Sequence, residues 1–183
     1  MFKAKKGRLL ISEPSLSDDT FFKSVILLTH HNNEESIGLI LNQPTNVTIN
    51  EILNNIPSND FLVYIGGPVA KNSIQFIHTL GKHIPESRKI TDDLYWGGDF
   101  DQVRELIIDK QVDPNQFKFF LGYAGWDKPQ LVEELKSKSW VLHPGSNKYV
   151  FDEEPLALWK LILEEKGGKY SLIANFPEDP ILN

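Results

Sequence analysis

The sequence predicts a single-domain α+β fold, and three observations carry that reading. Roughly eight short apolar segments, rich in β-branched or aromatic residues, are separated by polar turns. Helical patterns fall among them at irregular intervals, where an α/β fold would alternate the two. No composition shift, internal repeat or low-complexity linker divides the 183 residues. A chain of this length with 40% hydrophobic residues, including 11 Phe and 4 Trp, can bury one substantial core.

Arg8–Ser12 and residues 24–29 and 37–42 are rich in Ile, Leu and Val and read as buried strands. The polar run at 30–36 is short, as a hairpin loop is, so the chain opens antiparallel. Thr48 then precedes Ile49, Ile52, Leu53 and Ile56, spaced i, i+3, i+4, i+7 on one side of a helix that Pro57 stops. Residues 61–65 and 74–80 are two further strands. At the exit of the first, Gly66 and Gly67 allow positive φ and Pro68 fixes the bend.

Residues 81–93 are polar and irregular, and 94–96 run into a second glycine pair, Gly97 and Gly98. Asp99 and Gln102 have capping-box spacing for a helix that buries Phe100, Val103 and Leu106 and ends near Asp109. Residues 117–123 form an aromatic strand. Asp127 and Gln130 are a second capping-box pair, opening a helix whose Leu131, Val132 and Leu135 face the core. The run from Gly122 to Trp126 is therefore expected on a strand-to-helix turn. Residues 139–143 and 148–151 read as a hairpin across Pro144 and Gly145. Pro155 starts a last helix with Leu156, Trp159, Ile162 and Leu163 on its apolar side, and Gly167 and Gly168 end it. The tail after Tyr170, with Pro177 and Pro180, is expected to be a loosely held extension.

Composition excludes several function classes. There is no cysteine, so thiol nucleophiles, Cys-ligated zinc, iron–sulfur clusters and disulfides are ruled out, and a cytoplasmic address is expected. The basic start leads only into Leu9, Leu10 and Ile11, too short for a signal-peptide core, and no stretch approaches the ~20 apolar residues that cross a bilayer. Lys and Arg number 19 against 25 Asp and Glu, a net charge of −6. Phosphate contacts use cations, so direct nucleic-acid binding is disfavoured; Lys3, Lys5, Lys6 and Arg8 read as a solvated terminus.

No catalytic residue, metal site or cofactor is assigned. The chain lacks G-x-S-x-G, and Ser12, Ser15, Ser17 and Ser24 near Asp18 and Asp19 read as turn and surface serines. His30, His31, Glu34 and Glu35 are the best metal-ligand cluster, but adjacent histidines project apart, so a solvated hairpin tip is the expectation. His78 alternates with apolar neighbours, as a hydrogen-bonded core histidine does. Asp152, Glu153 and Glu154 suit the first turn of the last helix. The glycine pairs could bare amides for an anion, yet they lack the spacing of known phosphate loops and read as tight turns. Tyr123 and Trp126 beside Gln130 offer flat contact area and an amide, suited to a small polar ligand or a partner's peptide; alternatively Trp126 plugs the core.

These blocks resemble the YqgE/AlgH family of bacterial proteins. The likeness is carried by Gly7 to Ile11 with Pro14 and Asp18, by Phe22 to Ile26, by Gly38 to Pro44, and by Tyr64 to Val69 with His78. It continues through Gly122 to Trp126 with Gln130, Leu131, Glu134, Leu135 and Trp140. The resemblance implies a strongly curved, largely antiparallel (mixed) sheet or partly closed barrel with about four helices packed outside it. It implies no established enzyme activity, and one branch of the family carries a transcriptional-regulator label. Here Gln43 stands where the family often has Arg, and Pro129 where it usually has Gly.

The resulting expectation is a non-catalytic binding or regulatory domain that acts through a protein partner or small ligand. Its candidate face is Asn42, Gly66, Gly67, Pro68, Tyr123, Trp126, Gln130 and Glu134. The competing expectation is a hydrolase or transferase built from dispersed residues such as Ser24, His78, Asp18 and Glu134.

Overall fold

A computed structural model of the chain describes residues 3–14, 19–57 and 59–175, with Asp152 described by its backbone alone. Among these residues ten strands form one mixed sheet: β1 (Arg8–Ser12), β2 (Val25–His31), β3 (Glu35–Ile40), β4 (Pro44–Thr48), β5 (Leu62–Ile65), β6 (Val69–His78), β7 (Arg88–Lys89), β8 (Tyr95–Trp96), β9 (Phe117–Asp127) and β10 (Trp140–Pro144). Their order is β10-β1-β2-β3-β9-β6-β8-β7, and β5 pairs with β9 on a side branch that β4 extends. Every pairing is antiparallel except β5 with β9.

Strand β9 joins the two parts of the sheet. Its first half pairs with β5 and β6, Phe119 lying opposite both Val63 and Phe76. Its second half pairs with β3, Ala124 opposite Gly38 and Asp127 opposite Glu35. The change of partner occurs at Gly122, whose φ of +69° bends the strand in a conformation that favours glycine.

Curvature follows from how the side chains sort. One cluster gathers Leu9, Leu27, Leu39, Ile77, Trp96, Phe120 and Val141, strands from both arms of the sheet meeting on one face. The opposite face divides into two separate clusters, one around Phe61, Val63, Phe76 and Phe119, the other around Leu10, Ile26, Ile40 and Trp126. A face that converges while its reverse diverges is concave. Residues buried on both sides account for the nearly unbroken apolar runs of β1 to β3.

Helices cover both faces. α1 (Ile49–Ile52) and α2 (Phe100–Ile108) lie over the Phe119 cluster, burying Ile49, Val103 and Ile107. α3 (Lys128–Lys136) covers the Trp126 cluster with Leu131. α4 (Leu158–Lys166), followed by α5 (Lys169–Ala174), fills the concave side with Leu158, Trp159, Ile162 and Leu163. Asp99 caps α2, its carboxylate accepting from the N–H groups of Asp101 (2.9 Å) and Gln102 (3.4 Å).

Several expectations are corrected. Residues 148–151 form no hairpin with β10: Lys148–Asp152 is a π-helical turn, and β10 pairs with β1. The turn signal at Pro144 and Gly145 serves a different contact, Gly145 donating its N–H to Gly7 O at 3.1 Å. The helix after Thr48 lasts one turn, opened by a capping box between Thr48 and Glu51 and ended at Leu53. Pro155–Ala157 is a 3-10 turn, which shifts the phase and leaves Leu156 75% exposed. Val132 is also exposed. Asp127 occupies the N-cap of α3 without a side-chain cap hydrogen bond. The expected loose tail instead begins as α5; its remainder, with Pro177 and Pro180, lies outside the described residues, as do Ser15, Ser17 and Asp18.

Candidate functional site

The glycines at the end of β5 make a backbone crossing. Gly66 donates its N–H to Leu121 O at 2.8 Å and accepts from Ile40 N–H at 3.0 Å, so β3, β5 and β9 converge on one residue. A Cβ on Gly66 would stand 2.3 Å from Gly122 O, and one on Gly67 would stand 2.2 Å from the Tyr123 carbonyl carbon. Close approach, rather than anion binding, explains this glycine pair, because the Gly66 amide is already committed to the strand ladder.

The aromatic signature is split between two faces. The strand runs on through Asp127, so residues alternate: Tyr123 packs against the concave cluster, while Ala124 and Trp126 join the outer one. Tyr123 and Trp126 therefore share no surface: the expected strand-to-helix junction is present, but it falls after Trp126, at Asp127 and Lys128, and the signature itself is strand. Trp126 is 3% exposed, stacks on Phe21 at 6.3 Å and meets Trp140 edge-on at 5.9 Å.

Glu134 ties this outer cluster together. Its Oε2 accepts from the indole N–H of Trp126 (2.8 Å) and of Trp140 (2.6 Å), and its Oε1 accepts from Gln130 Nε2 (2.9 Å). Gln130 is consequently a ligand of Glu134 and not of the helix N-terminus. Asn42 is also internally satisfied: its Oδ1 accepts from Val25 N–H and its Nδ2 donates to Lys23 O, both at 2.8 Å. Of the candidate face, Trp126, Gln130 and Glu134 come together, as do Gly66, Gly67 and Tyr123. Near the crossing, Ile65, Pro68, Val69, Ala70 and Gly125 are open to solvent and Tyr123 is half-buried.

Of the dispersed hydrolytic residues, the described three, Ser24, His78 and Glu134, do not converge. Ser24 is buried at the start of β2, with its Oγ accepting from Gln43 Nε2 at 3.2 Å. Glu134 sits under the two indoles, and Asp18 lies outside the described residues. His78 is buried among aromatic rings, its Nε2 3.0 Å from Ser87 Oγ and 3.1 Å from Gly97 O. A carbonyl only accepts, so Nε2 carries the proton, and Ser87 Oγ donates to Ile84 O at 2.7 Å. Burial holds the imidazole pKa down, although the hydrogen bond to Gly97 opposes that shift. A neutral ring with its proton on Nε2 cannot take one from Ser87. Among the described residues no group of three or more His, Asp or Glu could hold a metal ion.

Lys118 is the functional candidate the sequence reading passed over. It lies in β9, 7% exposed, with Nζ donating to Val150 O at 3.0 Å and lying 4.0 Å from the centroid of the Tyr64 ring. Desolvation lowers its pKa to about 7, against a weaker upward pull from Glu154. The available signal was a lone cation between Phe117 and Phe119, in a strand apolar enough to be buried on both faces.

Comparisons with known proteins agree on one family. A family model described as AlgH-like (DUF179) matches residues 9–171. A UPF0301 protein of Cytophaga hutchinsonii is 40% identical over 179 residues, covering 97% of this chain and 98% of that protein. One from Chlorobaculum parvum is 38% identical over 179 residues, covering 98% and 96%. Among solved structures, AlgH of Pseudomonas aeruginosa is similar with a TM-score of 0.76 and 25% identity, over 98% of this chain and all of that one (100%). A crystal structure of a Corynebacterium diphtheriae protein has a TM-score of 0.79 at 18% identity, over 96% and 94%, a likeness of fold. Among the described residues no helix is long and apolar enough to cross a membrane.

Proposed function

We propose that this chain, which belongs to the AlgH-like family, is a binding or regulatory domain whose recognition face lies at the glycine crossing. One observation carries the reading: apolar surface is left open on a backbone that has no room to move. Val69 is 38% exposed and pairs with Tyr123, whose ring packs beside Gly125, where no side chain covers it. Beneath them, Gly66, Gly67 and Gly122 are locked in contact, so a ligand or partner would find the face already ordered and little conformational entropy would be lost. A tyrosine with an exposed flank supplies contact area and a hydroxyl at low entropic cost. The net charge of −6 favours a protein or small-molecule partner over an operator, so any regulatory role would act through protein contact.

The test compares the intact chain with Tyr123→Ala and Val69→Ser, first confirming unchanged melting temperatures. Affinity capture from extract of the source organism and melting shifts across a metabolite panel are the readouts. Loss of about tenfold or more in a captured partner or in ligand affinity is expected in both variants. Identical captured sets and identical shifts would place recognition elsewhere. Trp126→Ala is unsuitable as the probe, since that ring is core.

A further inference from the structure

We propose that Lys118 is an imine-forming amine, set in a cleft that admits small uncharged aldehydes and ketones. The Lys118 cleft shares no residue with the Tyr123 face, so either can fail its test without the other. The cleft holds ≈ 160 Å³, is open to solvent on one side and has a mixed wall: the rings of Phe61, Tyr64, Phe117 and Phe151 beside the polar Asp60 and Asn115, with Lys118 among the lining residues. By volume alone the guest is about the size of benzene, which fills a cavity of about 150 Å³.

Burial disfavours an ammonium, opposed by the Tyr64 ring 4.0 Å from Nζ and by the more distant Glu154, and it leaves room for a reactive amine. Among the described residues no carboxylate lies within ion-pair distance of Nζ, and the facing ionisable groups are Tyr64 on β5, Asp60 before it and Glu154 after the π-helical turn. A neutral amine keeps one N–H for Val150 O and retains its lone pair for attack. Desolvated lysines in apolar pockets are the nucleophiles that form Schiff bases. Asp60 at the cleft, together with the acidic balance of the chain, selects against keto acids and toward uncharged carbonyl compounds.

The step is balanced by water alone. The Nζ lone pair attacks the carbonyl carbon, the C=O π pair moves to oxygen, and proton transfer from nitrogen gives a carbinolamine. Loss of that hydroxyl with the second amine proton yields C=N and one water. No oxidant or reductant enters until the assay, where cyanoborohydride delivers hydride to the imine carbon and fixes the adduct as a secondary amine.

The experiment treats the full chain at pH 7 with benzaldehyde and cyanoborohydride and maps the adducts by peptide mass spectrometry. Lys118 should be labelled about tenfold or more faster than exposed lysines such as Lys71 and Lys82, because a larger fraction of it is neutral. Pyrene-carboxaldehyde, too large for the cleft, should label the exposed lysines and spare Lys118. Lys118→Met should remove the dominant benzyl adduct; if that variant fails to fold, the wild-type map alone decides. Labelling of Lys118 no faster than Lys71, or equal labelling by the pyrene aldehyde, would overturn the assignment.

Discussion

Glu134 organises the outer core, as its three N–H donors show. Trp126 and Trp140 are 3% and 4% exposed, so their indole N–H groups have little access to water if the carboxylate is removed. Each buried donor left unsatisfied costs about 1–3 kcal/mol, so Glu134→Ala should destabilise by about 2–4 kcal/mol in urea unfolding. Glu134→Gln keeps one carbonyl acceptor and should cost about half as much. A loss below about 0.5 kcal/mol for the alanine variant would mean that water replaces the carboxylate. At this scale the sequence was partly legible. A core role for Trp126 was one of its two readings, but the shared acceptor at i+8 is visible only when the strand continues through Asp127 and α3 returns over it. The glycines at 122 and 125 look like turn residues and concealed that continuation.

Between elements, the same residue type performs two distinct jobs, and substitution separates them. Gly122 combines a φ of +69° with a backbone contact, since a Cβ there would lie 2.6 Å from Gly67 O. Gly97 has a similar φ of +64° and nothing within 4 Å of a Cβ. Gly97→Ala should therefore cost only conformational strain, about 1–2 kcal/mol, whereas Gly122→Ala should cost about 3 kcal/mol or more and broaden the amide spectra of β5 and β9. Equal losses in urea titrations would show that the crossing relaxes freely. Strands β1 to β3 and helices α2 and α3 were readable because local periodicity, with the Asp99 cap for α2 and Pro129 in the first turn of α3, suffices for them. The partner of β10 was not, because proximity to residues 148–151 suggested a hairpin while the true partner, β1, lies more than a hundred positions earlier. Local signals mark where a chain turns; they do not say what it turns toward.

For the whole molecule, the sheet curls so that the concave face is filled by α4 and sealed by the π-helical turn, and the chief electrostatic consequence is a cation held out of water. Lys118 titrates at about 7 in the fold and at 10.5 in a free chain. Between those values the unfolded chain binds more protons than the folded one, so stability rises with pH from about 7 toward 10.5, by up to about 1.4 kcal/mol per pH unit. His78 is displaced in the same direction by burial, so it adds a loss of stability as pH falls below its ordinary 6.5. Tyr64, raised by desolvation first and by Glu154 second, opposes Lys118 only above pH 10, where the unfolded chain loses its phenolic protons sooner. The decisive measurement is urea unfolding at pH 7 to 9.5 for the natural chain and for Lys118→Met. The natural chain should gain stability across that interval while the variant stays nearly flat, whatever their absolute difference at pH 7. Parallel curves would show that the amine is solvated in the folded state, and with that the physical ground for its nucleophilicity would be gone.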